Sequence, residues 1–253
     1  MKIISVIPVS GRQQLLPYTL GRLYEINKIS HVICIGSEED REICESTGAE
    51  FIQCDNIPLG AKWNMGYLAA KERKPDAVLH MGSSNLVSDN WIPLMTQFIE
   101  KHMMAGKPDF NMLHWERREI LRWWGYPKQK FKFKHRLLPK AHQAFLKAGG
   151  RAIEPVGLGR LLRADFLDAY KWQPFHDEAQ RGLDMLMMKR LSDIQGSYML
   201  VKDPSIQGLK ITSDKWSNIN TFDAYKTFDT VERIITPIEF LSFWFRDVLD
   251  YRL

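Results

Sequence analysis

Apolar and β-branched residues gather in short runs over 3–7 (IISVI), 31–35 (HVICI), 50–54 (EFIQC) and 77–81 (AVLHM), a pattern that predicts four strands. Between the runs the apolar spacing becomes helical. Leu15, Leu16, Leu20, Leu23 and Ile26 share one face of a helix over about 12–28, and further helical patterns cover 39–47 and 61–73. Strands alternating with helices call for a parallel sheet with crossovers, which places the chain in the α/β class. Downstream the pattern predicts a helix over 91–105, a glycine-containing turn leading into a helix near 163–170, and a helix whose Leu183, Leu186, Met187 and Leu191 form a buried face. Methionines at that spacing read as core. Residues 198–211 supply two further strands, and 231–253 form an aromatic amphipathic tail that packs on its own domain or on a partner or membrane surface. There is no internal repeat and no flexible linker.

In a parallel sheet the ligand crevice lies beyond the carboxyl ends of the strands. The segments to inspect are therefore Pro8 to Arg12, Gly36 to Asp40, Asp55 to Asn64 and Gly82 to Asn85. They are rich in small polar groups, and their glycines let backbone approach a ligand. No G-x-G-x-x-G and no P-loop is present, which disfavours a dinucleotide or Walker-type phosphate site.

A chain of 253 residues, 45% apolar and 11% aromatic, forms one large α/β domain or two small ones and is not disordered over most of its length. Its apolar runs fall short of the roughly 18 residues that span a bilayer, and its start is too briefly hydrophobic for a secretory signal. A protein without a transmembrane segment, located in the cytoplasm, is expected. Cys34, Cys44 and Cys54 form neither an even set nor a C-x-x-C pair, so they are expected as reduced core residues.

Charge changes this picture at one place. The net charge is +5, yet residues 117–151 hold 11 Lys and Arg against Glu119 alone, so the rest of the chain is mildly acidic. Within RWWGYPKQKFKFKHR, the cations Arg122, Lys128, Lys130, Lys132, Lys134 and Arg136 are interleaved with aromatic residues that include Trp123 and Trp124. That mixture suits phosphates with stacked bases or sugar rings. The period of two in K-F-K-F-K equally suits a solvated edge strand, and the two readings are compatible.

The order of elements and several strings together resemble the GT-A-fold nucleotide-sugar glycosyltransferases of the family 2 type. The strings are VIPVSGR at 6–12, ICIGS at 33–37, N-x-PLGAKWN-x-G from Asn56 to Gly66, MGSSNLVSDNW at 81–91, GLGRLLRADFLD at 157–168 and QPFHDEAQRGLDMLMMKRL at 173–191. The resemblance covers about 1–91 and 153–216. It implies a Rossmann-like mixed, mainly parallel sheet flanked by helices in a single domain over 1–253. That domain would comprise a nucleotide-binding half (1–91), a basic insertion (92–152), an acceptor and catalytic half (153–230) and a C-terminal amphipathic helix (231–253).

The resemblance also implies a UDP-sugar donor. Pro8, Val9, Ser10 and Arg12 would lie beside base and ribose, with Gly36 and Ser37 lining the same pocket and the Asp55 carboxylate accepting from the uracil imide; a helix N-cap is the structural alternative for Asp55. Lys62 and Asn64 follow Gly60 at a helix start, where backbone N–H groups and the lysine would hold the diphosphate. Trp63 is expected to pack. Gly157, Gly159 and Arg160 resemble the strand-to-helix loop that closes over the donor, and Lys210 and Trp216 match a later segment that approaches the diphosphate.

Relatives carry an acidic pair, G-S-D-D, that holds Mg²⁺ or Mn²⁺; this chain has Gly82-Ser83-Ser84-Asn85. Loss of two carboxylates puts the metal in doubt. Either Asn85 binds a weakly held ion with help from Asp89, or Lys62 and Arg160 replace the metal, or catalysis has been lost; the second is favoured. Asp184 matches the family's acidic residue at a helix start and would be the base of an inverting transfer, with Asp177 and Glu178 in reserve and His176 ambiguous. Charge complementarity at a helix N-terminus is the structural alternative for each carboxylate. For the acceptor, the basic segment favours a hydroxylated base in DNA, as some viral glycosyltransferases use; in a virus the location would be the host cytoplasm. The alternatives are a glycan or lipid-linked sugar at a membrane surface and a non-catalytic nucleotide-sugar or polyanion-binding protein.

Overall fold

The four apolar runs become strands β1 (Ile3–Pro8), β2 (His31–Gly36), β3 (Glu50–Gln53) and β4 (Ala77–His80), each within a residue of its sequence-predicted limits. They are parallel, in the order β3-β2-β1-β4. The computed structural model describes residues 1–10, 16–54, 58–83, 85–107, 113–116, 155, 157–180, 182–201 and 208–212.

Side chains alternate across the sheet. Ile3, Ile7, Val32, Cys34, Ala77 and Leu79 enter one core cluster, while Ile4, Val6, Ile33, Ile35 and Val78 enter the other. Both faces are apolar because helices cover both. Helix α1 (Leu16–Gly21) runs on into a π turn over Arg22–Ile26; a 3₁₀ turn over Glu38–Asp40 leads into α2 (Arg41–Ser46); and α3 (Leu59–Glu72) follows β3. The chain continues through β5 (Asn85–Val87), α4 (Trp91–Ile99), β6 (Met104–Gly106), β7 (Leu113–Glu116), β8 (Arg160–Arg163), α5 (Ala164–Ala169), α6 (Leu183–Asp193), β9 (Tyr198–Leu200) and β10 (Gly208–Thr212). Leu16, Leu20, Trp91 and Met95 fill the first face; Trp63, Tyr67, Phe166, Met187 and Leu191 fill the second. The three cysteines are free and buried.

The main sheet has seven strands, β3-β2-β1-β4-β8-β6-β9, with β8 antiparallel to both β4 and β6. A second sheet has the order β5-β10-β7. Two expectations change. The helix over 91–105 stops at Ile99, because Met104 and Ala105 pair with β8 in the main sheet. Helix α4 and strand β6, which fall within 92–152, pack in the core and in the main sheet. Gly157 and Gly159 lie in a turn that enters a strand, not a strand-to-helix loop, because Arg160 to Arg163 pair with β4. The basic residues of 117–151 and the tail 231–253 lie outside the described residues. Among those that are described, no helix is long and apolar enough to cross a membrane.

Candidate active site

The carboxyl ends of the parallel strands bring three segments together at Val9. Its N–H donates to the Ile35 carbonyl at 2.7 Å, its carbonyl accepts from Lys62 Nζ at 3.0 Å, and its Cβ lies 3.3 Å from where a β-carbon on Gly36 would stand. The loops after β1 and β2 and the first turn of α3 are therefore one unit. The loop after β4 joins through Thr19, whose hydroxyl donates to the Ser83 carbonyl at 3.3 Å, while the Asn85 N–H closes a turn on the Gly82 carbonyl at 3.1 Å. Pro8, Ser10 and Ser37 are half-buried along this rim. In the second sheet Lys210, expected to approach the diphosphate, stands opposite Asn85, the doubtful metal ligand, so the backbone juxtaposes the two positions.

Two donor contacts read from sequence have other partners. Gly60 donates its N–H to the Ala179 carbonyl at 2.8 Å, and a β-carbon there would stand 2.2 Å from the His176 carbonyl oxygen. The start of α3 is thus covered by the 176–179 segment rather than open to an anion. Asn64 is buried and uses its whole amide: Nδ2 donates to the Phe175 carbonyl at 2.9 Å and to Asp177 Oδ1 at 2.8 Å, and Oδ1 accepts the Phe175 N–H at 3.2 Å. Asn64 and Asp177 therefore tie this segment to α3, and His176 and Glu178 remain exposed.

Lys62 is different. It is buried, its ammonium meets the Val9 carbonyl, and among the described residues no carboxylate pairs with it.

Across the sheet, Arg160 on β8 is directly opposite His80 on β4, so both side chains leave the same face, toward α3 and α6. Asp184 sits in the first turn of α6, behind Gly182, whose φ of +72° begins the helix. Arg160 is fully buried and donates from Nη2 to Asp184 Oδ1 at 2.6 Å and to the Pro155 carbonyl at 2.6 Å; Nε and Nη1 have no partner among the described residues. A carboxylate in a first turn is favoured by the unpaired N–H groups there. The added ion pair fixes its direction.

His80 is a functional candidate that the sequence reading passed over. It is buried, stacks on Trp63 with ring centroids 3.4 Å apart, and its Nδ1 lies 2.5 Å from the Tyr67 hydroxyl. Burial, aided by the Arg160 charge, holds its pKa well below the ordinary value. Burial also pushes the Tyr67 phenol up, with Arg160 opposing and Asp184 reinforcing. The signal available was a lone imidazole at the carboxyl end of an otherwise apolar strand. Trp63 packs as expected.

The described residues do not fit a divalent metal. Among those described, no group of three or more His, Cys, Asp or Glu is placed to hold one. Asp89 is largely exposed and pairs with Arg22 through one carboxylate oxygen. Arg12, Asp55 and Ser84 lie outside the described residues, as do Arg122, Trp123, Trp124, Lys128, Lys130, Lys132, Lys134 and Arg136.

No protein-family model matches the chain, and no curated protein is detectably similar in sequence. Solved structures are similar in fold. The S. aureus TarS fragment 1–349 in complex with UDP-GlcNAc superposes with a TM-score of 0.56 at 11% identity, over 87% of this chain and 61% of that one. The same fragment with UDP gives 0.52 at 12% identity, over 84% and 61%. A mycobacterial protein gives 0.52 at 12% identity, over 87% and 70%. The chain spans about three fifths of the TarS fragment. The mixed, mostly parallel seven-stranded sheet flanked by helices is that of a GT-A fold.

Proposed function

We propose that this protein is a glycosyltransferase that moves a sugar from a UDP-sugar to a hydroxyl acceptor with inversion. The observation that carries the reading is that one GT-A sheet carries both a buried ammonium at the Val9 loop and a carboxylate clamped by a buried arginine. That TarS fragments with this fold bind UDP and UDP-GlcNAc supports the choice of donor.

Asp184 is the base. Arg160 donates to its Oδ1 and holds the carboxylate in place, and the carboxylate takes the acceptor proton as the hydroxyl oxygen attacks the anomeric carbon. The bond from that carbon to the diphosphate oxygen breaks, and UDP leaves with the electron pair. Negative charge grows on the leaving diphosphate and must be met by prearranged positive charge. With no acidic pair to bring a metal, Lys62 supplies it, together with Lys210 from the strand beside Asn85. Arg160, already neutralised by Asp184, positions the base instead.

The acceptor we favour is a hydroxylated base in DNA, on the charge of residues 117–151 alone. Transfer to modified duplex DNA would then fall steeply with added salt. Efficient transfer to a sugar or lipid-linked acceptor, beside weak and salt-insensitive transfer to DNA, would replace this acceptor and keep the enzyme. The enzyme itself is tested by titrating UDP with and without Mn²⁺ and by Asp184→Asn. UDP binds without the metal, and the variant keeps that binding while transfer drops by roughly 10²- to 10⁴-fold. Binding of UDP with no turnover in the unaltered protein would make it a binding protein, and no UDP binding in either condition would overturn the whole reading.

A further inference from the structure

The side chain missing at Gly157 lies between two polar groups. A β-carbon there would stand 3.0 Å from His80 Nε2 and 3.1 Å from Asp184 Oδ1, so these atoms face each other at no more than about 6 Å. That is the span one hydroxyl covers when hydrogen-bonded to both. The other ring nitrogen, Nδ1, is already engaged by the Tyr67 hydroxyl. Nε2 has no hydrogen-bond partner among the described residues, and the ring cannot swing away because Trp63 lies flat on it, 12° from parallel.

The protonation of this pair follows from its surroundings. The groups facing the imidazole are Trp63 and Tyr67 from α3, Arg160 from β8 and Asp184 from α6. Tyr67, buried and with its pKa raised, keeps its proton near neutral pH and so donates to Nδ1. The imidazole, buried and beside the Arg160 charge, stays neutral. A neutral ring that accepts at Nδ1 carries its proton on Nε2.

We propose that His80 is a neutral Nε2–H donor that holds the acceptor hydroxyl beside the Asp184 carboxylate, with Tyr67 as the positioning residue that fixes its tautomer. The hydroxyl oxygen would accept from His80 and donate its own proton to Asp184, which aims a lone pair at the sugar and places the proton on the base. An imidazolium in this place would lower the nucleophilicity of that oxygen; a neutral donor orients it at less cost. This inference rests on the glycosyl-transfer reading above and adds to it a residue that touches the acceptor.

The test uses the full chain, labelled with ¹⁵N-histidine, and assays with UDP-GlcNAc and the acceptor found to be used. The ¹⁵N shifts of His80 should show one tautomer, protonated on Nε2, from pH 6 to 8, and Tyr67→Phe should turn it into a mixture. His80→Phe keeps an aromatic ring on Trp63 but loses the N–H. It should lower kcat by about tenfold or more with KM for UDP-GlcNAc unchanged, and His80→Gln, whose amide nitrogen takes the place of Nε2, should recover much of that loss. Should His80→Phe not fold, Tyr67→Phe lacks only one oxygen and should lower kcat several-fold by the same KM criterion. An Nδ1–H tautomer, an imidazolium at neutral pH, or a His80→Phe variant as fast as the unaltered protein would overturn the proposal. An inactive unaltered protein whose His80 nonetheless carries its proton on Nε2 would overturn the glycosyl-transfer reading itself, and with it the acceptor contact, while leaving the tautomer assignment intact.

Discussion

Lys62 and Arg160 are both buried cations, and they differ in what holds them. Arg160 meets a carboxylate at 2.6 Å and a carbonyl, so its charge is compensated inside the protein. Lys62 meets only the Val9 carbonyl among the described residues. Among the described residues its charge has no counter-charge, and burying a charge unpaired is costly. On the proposed function, the anion that relieves this cost is the donor diphosphate. The contrast bears on the proposal, which divides between these two residues what the sequence reading assigned to them jointly as a substitute for the missing metal: Lys62 for the diphosphate and Arg160 for the base.

The largest effect that bears on this contrast is on stability. Arg160→Met strands the Asp184 carboxylate, and the folded state should lose roughly 3 kcal/mol, at the low end for a broken buried pair because the Asp184 side chain keeps 24% exposure. Urea unfolding measures it; a loss near zero would mean that the pair is not structural. Lys62→Met should do the reverse. Its unfolding midpoint without ligand should stay level or rise, while UDP binding weakens by roughly 1.5–3 kcal/mol, the range for a hydrogen bond to a charged group. Calorimetric titration reads this directly, and an unchanged affinity would remove Lys62 from the site.

The smallest effect is on the pH dependence of stability. The folded-state pKa of His80 lies below its ordinary 6.5, so between the two values the unfolded chain binds a proton that the folded chain refuses. Stability from this group is present above about pH 6.5 and is lost as the pH falls below it, by at most about 1.4 kcal/mol per pH unit. His80→Gln should flatten that slope between pH 5 and 6.5. Lys62→Met should leave it unchanged, because it is the Arg160 charge that faces the imidazole; an equal flattening in both variants would dissolve the contrast.

The parallel half of the sheet was readable because its information is local. Runs such as IISVI and HVICI are apolar on both faces and short, and their limits agree with the strands to within a residue. The loops after β1 and β2 could be located from strand ends alone, and Val9 and Gly36 do adjoin. Elsewhere the local signal misled. Met103, Met104 and Ala105 continue the helical pattern of α4, yet strand pairing captures Met104 and Ala105 because β8 offers an unpaired edge. Asn64 has the polarity of a ligand contact, but its partners Phe175 and Asp177 are more than a hundred residues away. His80 sits in an apolar run and looks like core until β8 places Arg160 opposite it.

By itself the order of amino acids settled the α/β class, the four strands that prove parallel, the loops that follow them, and the absence of the acidic pair at 82–85. Those features depend on periodicity and on residue type, both of which are local. Only the tertiary structure decided which cation is neutralised, that the first turn of α3 is covered by Ala179, and that an imidazole faces Asp184 across Gly157. Each of these is a contact between segments far apart in the chain, fixed by the register of β4 against β8 and by the packing of α3 and α6 on one face of the sheet. Spacing along a chain carries no record of such a meeting until the sheet has closed.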